Sequence, residues 1–176
     1  MLIALVPSLA ALSRPYTALL LMGGTLFYAW VEGLRFLGFC PPLVSSVTAA
    51  VLREREQGRF ALGPVTLGLG ALLALLLFPP PAAAVAVYTL AFGDSAATLV
   101  GKFLGRIRMR FMAGKSLEGS LACFAVSALV CFCVMRNLET AFIVGLASVL
   151  VDALPLGDFD NLALPLAAGL AVLVFQ

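Results

Sequence analysis

Long apolar stretches separated by short polar segments dominate the chain. Crossing a bilayer requires about 20 mostly apolar residues in a helix. Four stretches meet this requirement, at residues 17–39, 60–78, 82–101 and 117–135. Because backbone groups in lipid must be satisfied within the protein, such stretches form helices. The pattern therefore predicts an all-α, polytopic transmembrane helical bundle of about five to seven membrane segments.

Three further apolar runs are short. Two of them, residues 141–153 and 162–175, are expected to be tilted, partly re-entrant or lengthened by flanking residues. The opening run, residues 2–12, stops before Arg14-Pro15 and lacks the basic start and cleavage signal of a secretory peptide. We expect it to be too short to span and to be the second half of a truncated amino-terminal helix. Residues 1–176 are expected to form one integral membrane domain.

The basic residues of the chain are concentrated in two polar segments. Three of the eleven lie in the first segment and five in the second: Arg53, Arg55 and Arg59, then Lys102, Arg106, Arg108, Arg110 and Lys115. The positive-inside rule places both segments in the cytoplasm. Turns expected at residues 79–81 and 136–137 return a third segment, with Asp158, Asp160 and Asn161, to the same face. We expect these three segments to converge at the cytoplasmic face of a bacterial inner membrane.

Composition narrows the function classes. Hydrophobic residues make up 62% of the chain and charged residues 11%, whereas soluble domains carry roughly 25% charged residues. The net charge of +2 gives no basic surface for a nucleic-acid partner. With no histidine, Ser-His and Cys-His nucleophilic pairs and His-ligated zinc are excluded. Any chemistry must use carboxylates, Lys, Arg, hydroxyls and backbone amides.

Asp94 is a candidate functional residue because it lies inside an apolar run. An ionisable group at membrane depth is costly and indicates a functional site; the alternative is a structural carboxylate paired with an arginine. Two stripes with four-residue spacing run beside each other here. The small residues are Gly93, Ala97, Gly101 and Gly105, and the polar residues are Asp94, Thr98, Lys102 and Arg106. The small stripe permits close approach of another helix or a ligand.

The segment Gly114-Lys-Ser-Leu-Glu-Gly-Ser120 precedes a long apolar helix. Backbone amides and a lysine at a helix N-terminus attract anions, so the segment is a candidate phosphate-binding loop. It is not a Walker A loop, because Met109 stands where that pattern requires glycine. The alternative is an interfacial cap whose Lys115 extends along the membrane surface.

Asp158, Asp160 and Asn161 lie between the two short apolar runs. Mg²⁺ is usually held by one or two carboxylates together with waters and substrate phosphates, so this segment is a candidate Mg²⁺ site; the alternative is a solvated loop. Two other charged groups have simple interpretations. Residues 53–59 are typical of a membrane-edge anchor, and Glu32 with Arg35 could form an intramembrane ion pair.

Three motifs in order resemble those of the CTP-dependent lipid kinases, which include dolichol kinases, phytol kinases and fungal-type diacylglycerol kinases. They are Phe92-Gly-Asp-Ser-Ala-Ala-Thr-Leu-Val-Gly-Lys-Phe-Leu-Gly, Gly114-Lys-Ser-Leu-Glu-Gly-Ser-Leu-Ala, and Leu154-Pro followed by Asp160-Asn-Leu-Ala-Leu-Pro165. Glu32-Gly-Leu-Arg35 and residues 53–63 also look like family features. Asp152 stands where the family commonly has Glu. Members of the family transfer the terminal phosphoryl group of CTP to a membrane lipid hydroxyl with a divalent metal.

The resemblance implies the same activity here, with a polyprenol or dolichol, a phytol-like alcohol or diacylglycerol as acceptor. The implied catalytic residues are Asp94, Lys115, Glu118 and Asp160. The implied Mg²⁺ ligands are Asp94, Asp158 and Asp160. The implied CTP contacts are Arg53, Arg59, Lys102, Arg106, Gly114, Ser116, Gly119 and Asn161. Lys115 and nearby amides would hold the phosphates, and Glu118 would bind the metal through water or orient Lys115.

Two other functions are alternatives to a CTP-dependent lipid kinase. The family is distantly similar to phosphatidate cytidylyltransferases, also called CDP-diacylglycerol synthases, which attack CTP at the α-phosphorus. Their Pro-Gly-His-Gly-Gly element requires a histidine, which this chain does not contain. A non-enzymatic small transporter or scaffold is the second alternative, and the lack of an inverted repeat in the sequence disfavours it.

Overall fold

The computed structural model of the protein describes residues 2–37, 60–107 and 115–175. Within these ranges the backbone forms seven α-helices and no β-strand. The helices are α1 (Val6–Phe36), α2 (Gly63–Leu77), α3 (Pro80–Tyr88), α4 (Asp94–Phe103), α5 (Leu117–Met135), α6 (Leu138–Ala153) and α7 (Asp160–Phe175). A π-helical turn, Thr89–Gly93, joins α3 to α4, and 3₁₀ turns cover Leu2–Leu5 and Gly157–Phe159.

Four helical stretches are long and apolar enough to cross a membrane. They are Leu2–Phe36, Pro80–Phe103, Leu117–Met135 and Gly157–Phe175, and the apolar helix Gly63–Leu77 is shorter. Large hydrophobic side chains cover the outer surface; Leu20, Phe27 and Trp30 on α1 are each more than 60% exposed. Such an apolar exterior suits lipid rather than water. The prediction of an all-α polytopic membrane bundle is confirmed.

The opening run lies in the first of these stretches, Leu2–Phe36. The backbone of Ser13 is not helical, so residues 2–12 and residues 14–36 are two helical pieces joined at a kink. The kink lies two residues before Pro15, where the helix also loses a backbone donor. The opening run therefore ends where the sequence predicted, and it reaches spanning length only together with the helix that follows. Arg14 donates to the carbonyl oxygens of Leu75 and Phe78, the latter at 2.5 Å, so its charge is satisfied by the C-terminal end of α2.

Both predicted turns are confirmed. Helix α2 ends at Leu77 and α3 begins at Pro80, which suits a first-turn position because it needs no amide donor. The second turn lies between α5 and α6, where Arg136 adopts a left-handed conformation. The Asn137 side chain accepts hydrogen bonds from the backbone N–H groups of Glu139 and Thr140, capping α6. Each turn therefore reverses the chain and makes consecutive helices pack as neighbours.

The core consists mainly of small and branched apolar side chains. Ala74, Val85, Val87, Ala168 and Val172 are almost fully buried in one cluster. Small residues let helix backbones approach closely, which is how helices associate where lipid already satisfies apolar surface. The core therefore gains its stability from dense packing.

Six helix ends meet at one end of the bundle. The C-terminal ends of α1, α4 and α6 lie with the N-terminal ends of α2, α5 and α7. We call this the polar end. Hydrogen bonds connect its helix ends in pairs. The residues that define it are Glu32, Ala61, Gly63, Arg106, Lys115, Glu118, Asp152, Asp160 and Asn161. The two helix turns described above lie at the opposite end. Two of the three predicted polar segments, around Lys115 and Asp160, are thereby brought together.

Candidate active site

Lys115 joins two of the motifs at the polar end. Its ammonium donates to Oδ2 of Asp160 at 2.7 Å, to the backbone oxygen of Asp152 at 2.6 Å and to Oδ1 of Asp152 at 3.2 Å. These three acceptors match the three donors of an ammonium group. The side chain of Lys115 is 29% exposed, while those of Asp152 and Asp160 are 10% and 18% exposed. Partial exclusion of water strengthens the ion pairs.

The charge state of Lys115 follows from these contacts. Burial lowers the pKa of Lys115, but the hydrogen bond that Lys115 donates to Asp160 and the negative charges of Asp152 and Asp160 outweigh this effect. The net effect raises the pKa of Lys115 above its ordinary value. The ammonium is therefore cationic throughout the neutral range.

Asp152 is a site residue that the sequence reasoning did not include among its catalytic or binding candidates. It lies near the end of α6 and is buried. Its Oδ2 accepts a hydrogen bond from the Ser120 hydroxyl at 2.8 Å, while Oδ1 faces Lys115. The signal that could have identified it is the one used for Asp94, an acidic residue in an apolar run.

One oxygen of Asp160 has no hydrogen-bond partner among the described residues. Oδ1 is buried and accepts no hydrogen bond from the residues that the structure describes. A buried carboxylate oxygen left in this state costs free energy, and a cation or a ligand donor would relieve that cost. Among the described residues, no three His, Cys, Asp or Glu side chains form a metal cluster. Since Mg²⁺ needs only one or two carboxylates beside phosphates and waters, Asp160 fits as one ligand.

Asp94 lies at the start of α4, directly after the π-helical turn Thr89–Gly93. Such turns within helices are frequently found at functional sites. The Asp94 side chain is half-buried. The preceding residue packs on α5, since a Cβ atom on Gly93 would lie 2.7 Å from Oγ of Ser127 and 3.7 Å from Sγ of Cys123. Asp94 therefore lies beside α5 about one helical turn, ~5 Å, deeper than the Ser120–Asp152 contact.

The small-residue stripe packs against a helix rather than bordering an open cleft. A Cβ atom on Gly119 would lie 2.7 Å from the carbonyl oxygen of Ala97 and 3.3 Å from Cα of Gly101. Ala97 also packs with Cys123 and Leu164 in a small buried cluster. The stripe of α4 thus lets α5 approach closely, and it fixes Asp94 relative to Lys115.

Two predicted phosphate contacts have other partners in the structure. Ser116 is the N-cap of α5, and its hydroxyl accepts the backbone N–H of Gly119 at 3.1 Å. The Gly119 amide is therefore engaged within the helix instead of pointing outward for a phosphate. Ser116 itself is buried. Ser116 and Gly119 therefore act as the helix cap that the alternative interpretation of this segment expected. Lys115 does not extend along the membrane surface as that interpretation expected, because it forms ion pairs with Asp152 and Asp160.

The partners of Glu118 also differ from the expectation. Its carboxylate accepts the backbone N–H groups of Arg106 at 3.1 Å and Ile107 at 3.2 Å. It thereby attaches the chain after α4 to the first turn of α5, whereas Lys115 is oriented by Asp152 and Asp160. The side chains of Lys102 and Arg106 are exposed, and Asp158 is exposed on the turn before α7.

The remaining candidates connect α1 and α2 to the site. The Asn161 amide donates to the carbonyl oxygen of Gly63 at 3.3 Å and to the Thr66 hydroxyl at 3.1 Å, which attaches α7 to α2. The ion pair between Glu32 and Arg35 is confirmed, with Nη2 and Oε1 2.5 Å apart. Glu32 is almost fully buried and also accepts the backbone N–H of Ala61 at 2.8 Å.

Several predicted nucleotide contacts fall outside the described residues. They are Arg53, Arg59 and Gly114, together with the neighbouring basic residues Arg55, Arg108 and Arg110. Their roles stay predictions from the sequence.

Comparison with known proteins finds two relatives among curated proteins. The chain is 34% identical to CTP-dependent diacylglycerol kinase 1 of Eremothecium gossypii over 89 residues, covering 51% of this chain and 28% of that protein. It is 31% identical to probable phytol kinase 1, chloroplastic, of Oryza sativa subsp. japonica over 147 residues, covering 73% of this chain and 46% of that protein. No protein-family model and no solved structure matches the chain.

The matched part of the chain spans less than half the length of either relative. Both relatives are lipid kinases by name, and the fungal one is CTP-dependent. The resemblance to CTP-dependent lipid kinases that the three motifs indicated is confirmed.

Proposed function

We propose that the protein is a CTP-dependent phosphotransferase that phosphorylates the hydroxyl group of a membrane lipid alcohol. The observation that carries the proposal is the contact of Lys115 with Asp152 and Asp160, which unites a cationic motif with an acidic motif at the polar end. The names of the two relatives support the same reaction class.

The position of the site suits a reaction between a water-soluble donor and a lipid acceptor. The polar end closes one end of membrane-spanning helices, so nucleotide can arrive from water and the hydroxyl group from the bilayer. The concentration of basic residues in the sequence between α1 and α2 and between α4 and α5 favours the cytoplasmic face. A bacterial inner membrane is the proposed location. CTP is the proposed nucleotide partner and the lipid alcohol the second substrate.

The proposed reaction transfers the γ-phosphoryl group of CTP to the lipid hydroxyl group. The lipid hydroxyl oxygen attacks the γ-phosphorus of CTP, the bond from that phosphorus to the β–γ bridging oxygen breaks, and CDP leaves. Phosphoryl transfer depends mostly on positioning and on stabilisation of charge on the phosphoryl oxygens. Lys115 supplies a cation for those oxygens, and Asp94 or Asp160 accepts the proton of the hydroxyl group.

Binding of phosphate requires an exchange of partners at Lys115. Its three donors already bond Asp152 and Asp160, so a phosphate oxygen must replace at least one of these acceptors. Asp160 would hold Mg²⁺ together with phosphate oxygens and waters, and a bound Mg²⁺ would neutralise part of the phosphate charge. Asp94 and Asp158 do not form a three-carboxylate cluster with Asp160 among the described residues. Lys102 and Arg106 are exposed near the same end and are proposed to assist with the phosphates.

Recognition of the cytosine base is proposed for cationic segments other than the Lys115 loop. A lysine and helix-end amides respond to phosphate charge and not to the base. Residues 53–59 and the segment that begins at Arg106 are therefore proposed to read the base. A base-specific site leaves polar groups unpaired with the wrong nucleotide, so CTP should exceed ATP by well over about tenfold in kcat/KM.

The experiment uses purified protein in vesicles that contain a panel of polyprenols, phytol-like alcohols and diacylglycerols. With CTP, the proposal expects a lipid monophosphate from at least one acceptor and much less product with ATP. Equal use of both nucleotides would overturn the assignment of CTP. Failure to phosphorylate any lipid in the panel would overturn the proposed activity and favour the transporter or scaffold alternative.

A further inference from the structure

A lateral groove lies between α1 and α2. Its volume is about 250 Å³, and its walls are formed by Leu20, Leu21, Gly24, Thr25, Tyr28 and Pro64. Leu20 is 66% exposed, so the groove opens toward the space that lipid occupies around the bundle. The walls are mostly apolar, which matches a hydrocarbon chain better than a polar ligand.

The groove exists because a glycine of α1 is not used for close helix packing. Where α1 and α2 touch, a Cβ atom on Gly68 would overlap the Thr25 side chain. At Gly24, one residue earlier, no atom lies within 4 Å of the position a Cβ would take. Helix interiors usually place glycine where another backbone approaches. At Gly24 the missing side chain instead leaves open volume beside a close contact.

The groove runs toward the polar end of the bundle. From Leu20 to Tyr28 it follows α1 for about 12 Å, and Glu32 at the polar end lies one turn beyond Tyr28. Pro64 follows Gly63, whose carbonyl oxygen accepts a hydrogen bond from the Asn161 amide at the same end. The groove therefore leads from the apolar region of the bundle to the end at which Lys115 and Asp160 lie.

We propose that this groove binds the hydrocarbon chain of the acceptor lipid while its hydroxyl group lies at the polar end. This inference rests on the proposed function. The hydrocarbon chain of the lipid moves from one apolar environment to another, so its binding gains little from the hydrophobic effect and depends on packing contacts. Its consequence is placement of the hydroxyl group, since a bound and oriented reactant reacts faster than a freely diffusing one.

Two matched substitutions test the groove. Gly24→Leu fills it, whereas Gly23→Leu is the control, because position 23 also has open space at its Cβ but does not line the groove. Leucine favours helix more than glycine does, so both variants should fold. Gly24→Leu is expected to lower kcat/KM for a long-chain alcohol by at least about tenfold. It should leave kcat/KM for a short water-soluble alcohol and the KM for CTP unchanged.

A second readout does not depend on catalysis. A long-chain alcohol with a diazirine in its chain is incubated with the membrane-reconstituted protein, and the crosslinked residues are mapped by mass spectrometry. The groove predicts crosslinks at Leu20, Leu21 and Pro64 that Gly24→Leu removes and Gly23→Leu retains. Labelling spread over outward residues such as Leu19, Leu26 and Phe27, unchanged in both variants, would show ordinary bilayer lipid and overturn the inference.

The two readouts separate the inference from the proposed function. Absence of any phosphate transfer by the wild-type protein would contradict the kinase proposal. Crosslinking would still test whether the groove binds the hydrocarbon chain. Active protein whose acceptor preference and crosslinks are the same in Gly24→Leu and wild type would contradict the groove and leave the kinase proposal standing.

Discussion

The ammonium of Lys115 and Oδ2 of Asp160 lie 2.7 Å apart although 45 residues separate them in the chain. This contact joins the loop before α5 to the first residue of α7. Asp152 at the end of α6 completes the group. A residue that the sequence marks as a phosphate ligand is thus held by two carboxylates. The proposed kinase site therefore contains one cation between two carboxylates, and the role of each carboxylate can be tested by removing its charge while keeping its shape.

Asp160→Asn preserves shape and removes one negative charge from this cluster. We expect turnover to fall by at least about 10²-fold, the scale observed when a major electrostatic contributor is removed. The measurement is CTP-dependent lipid phosphorylation by protein in vesicles. Glu139→Gln is the matched control, since Glu139 is an exposed carboxylate at the opposite end of the bundle. Equal turnover in Asp160→Asn and Glu139→Gln would remove Asp160 from the mechanism.

Lys115→Ala should lower both thermal stability and activity. It leaves Asp152 and Asp160 shielded from water without their cation, and an unpaired buried charge is strongly destabilising. Adding Asp160→Asn removes one of the two unpaired charges, so the double variant should regain part of the lost stability. Activity should not return, because the phosphate-binding cation is still absent. Thermal unfolding and phosphorylation assays on both variants separate the two effects; recovery of activity in the double variant would show that Lys115 has only a structural role.

Asp94→Asn tests the carboxylate beside the π-helical turn. The substitution is close to isosteric, so helix packing at Gly93 and Ala97 should persist and membrane insertion should be normal. We expect turnover to fall by at least about 10²-fold. The assay compares initial rates at equal amounts of inserted protein. A well-inserted variant with wild-type rates would show that Asp94 is a structural residue.

Cysteine labelling tests which ends of the helices share a membrane face. Single cysteines at Arg55, Arg108 and Asp158, in a background without the native cysteines, should react with a membrane-impermeant reagent from the cytoplasmic side. A cysteine at Asn137 should react from the other side, because the turn before α6 lies at the opposite end of the bundle. If positions 108 and 158 were labelled from opposite faces, the Lys115–Asp160 cluster could not form in the membrane.

The helices were predictable where the signals are local. Residues 117–135 were predicted with the bounds that α5 has, because Ser116 caps its start and Arg136-Asn137 ends it. The kink at Ser13 was predictable, since a proline usually marks a helix boundary. The joining of the two pieces into one stretch was not predictable, and it is accompanied by a distant contact of Arg14 with the end of α2. A contact across 61 residues leaves no local pattern in a sequence.

The candidate site was only partly predictable, because some of its contacts are set by distant parts of the chain. The positive-inside rule and the motif order brought Lys115 and Asp160 to one face, and the structure places them in contact. The individual partners of Glu118 and Asn161 depend on how α4, α5, α2 and α7 pack, which residue type alone does not specify. Asp152 could have been found, because an acidic residue in an apolar run is a functional signal wherever it occurs.

Paired reactions with γ-labelled and α-labelled CTP test the central claim most directly. Wild-type protein in vesicles that contain a lipid alcohol and phosphatidate is given CTP with one label or the other, and the radioactivity of the extracted lipids is measured. Attack at the γ-phosphorus predicts that the γ-label enters the lipid and the α-label stays with CDP. Asp160→Asn should reduce γ-label transfer to near background. Entry of the α-label into the lipid would contradict phosphoryl transfer and identify a cytidylyltransferase instead.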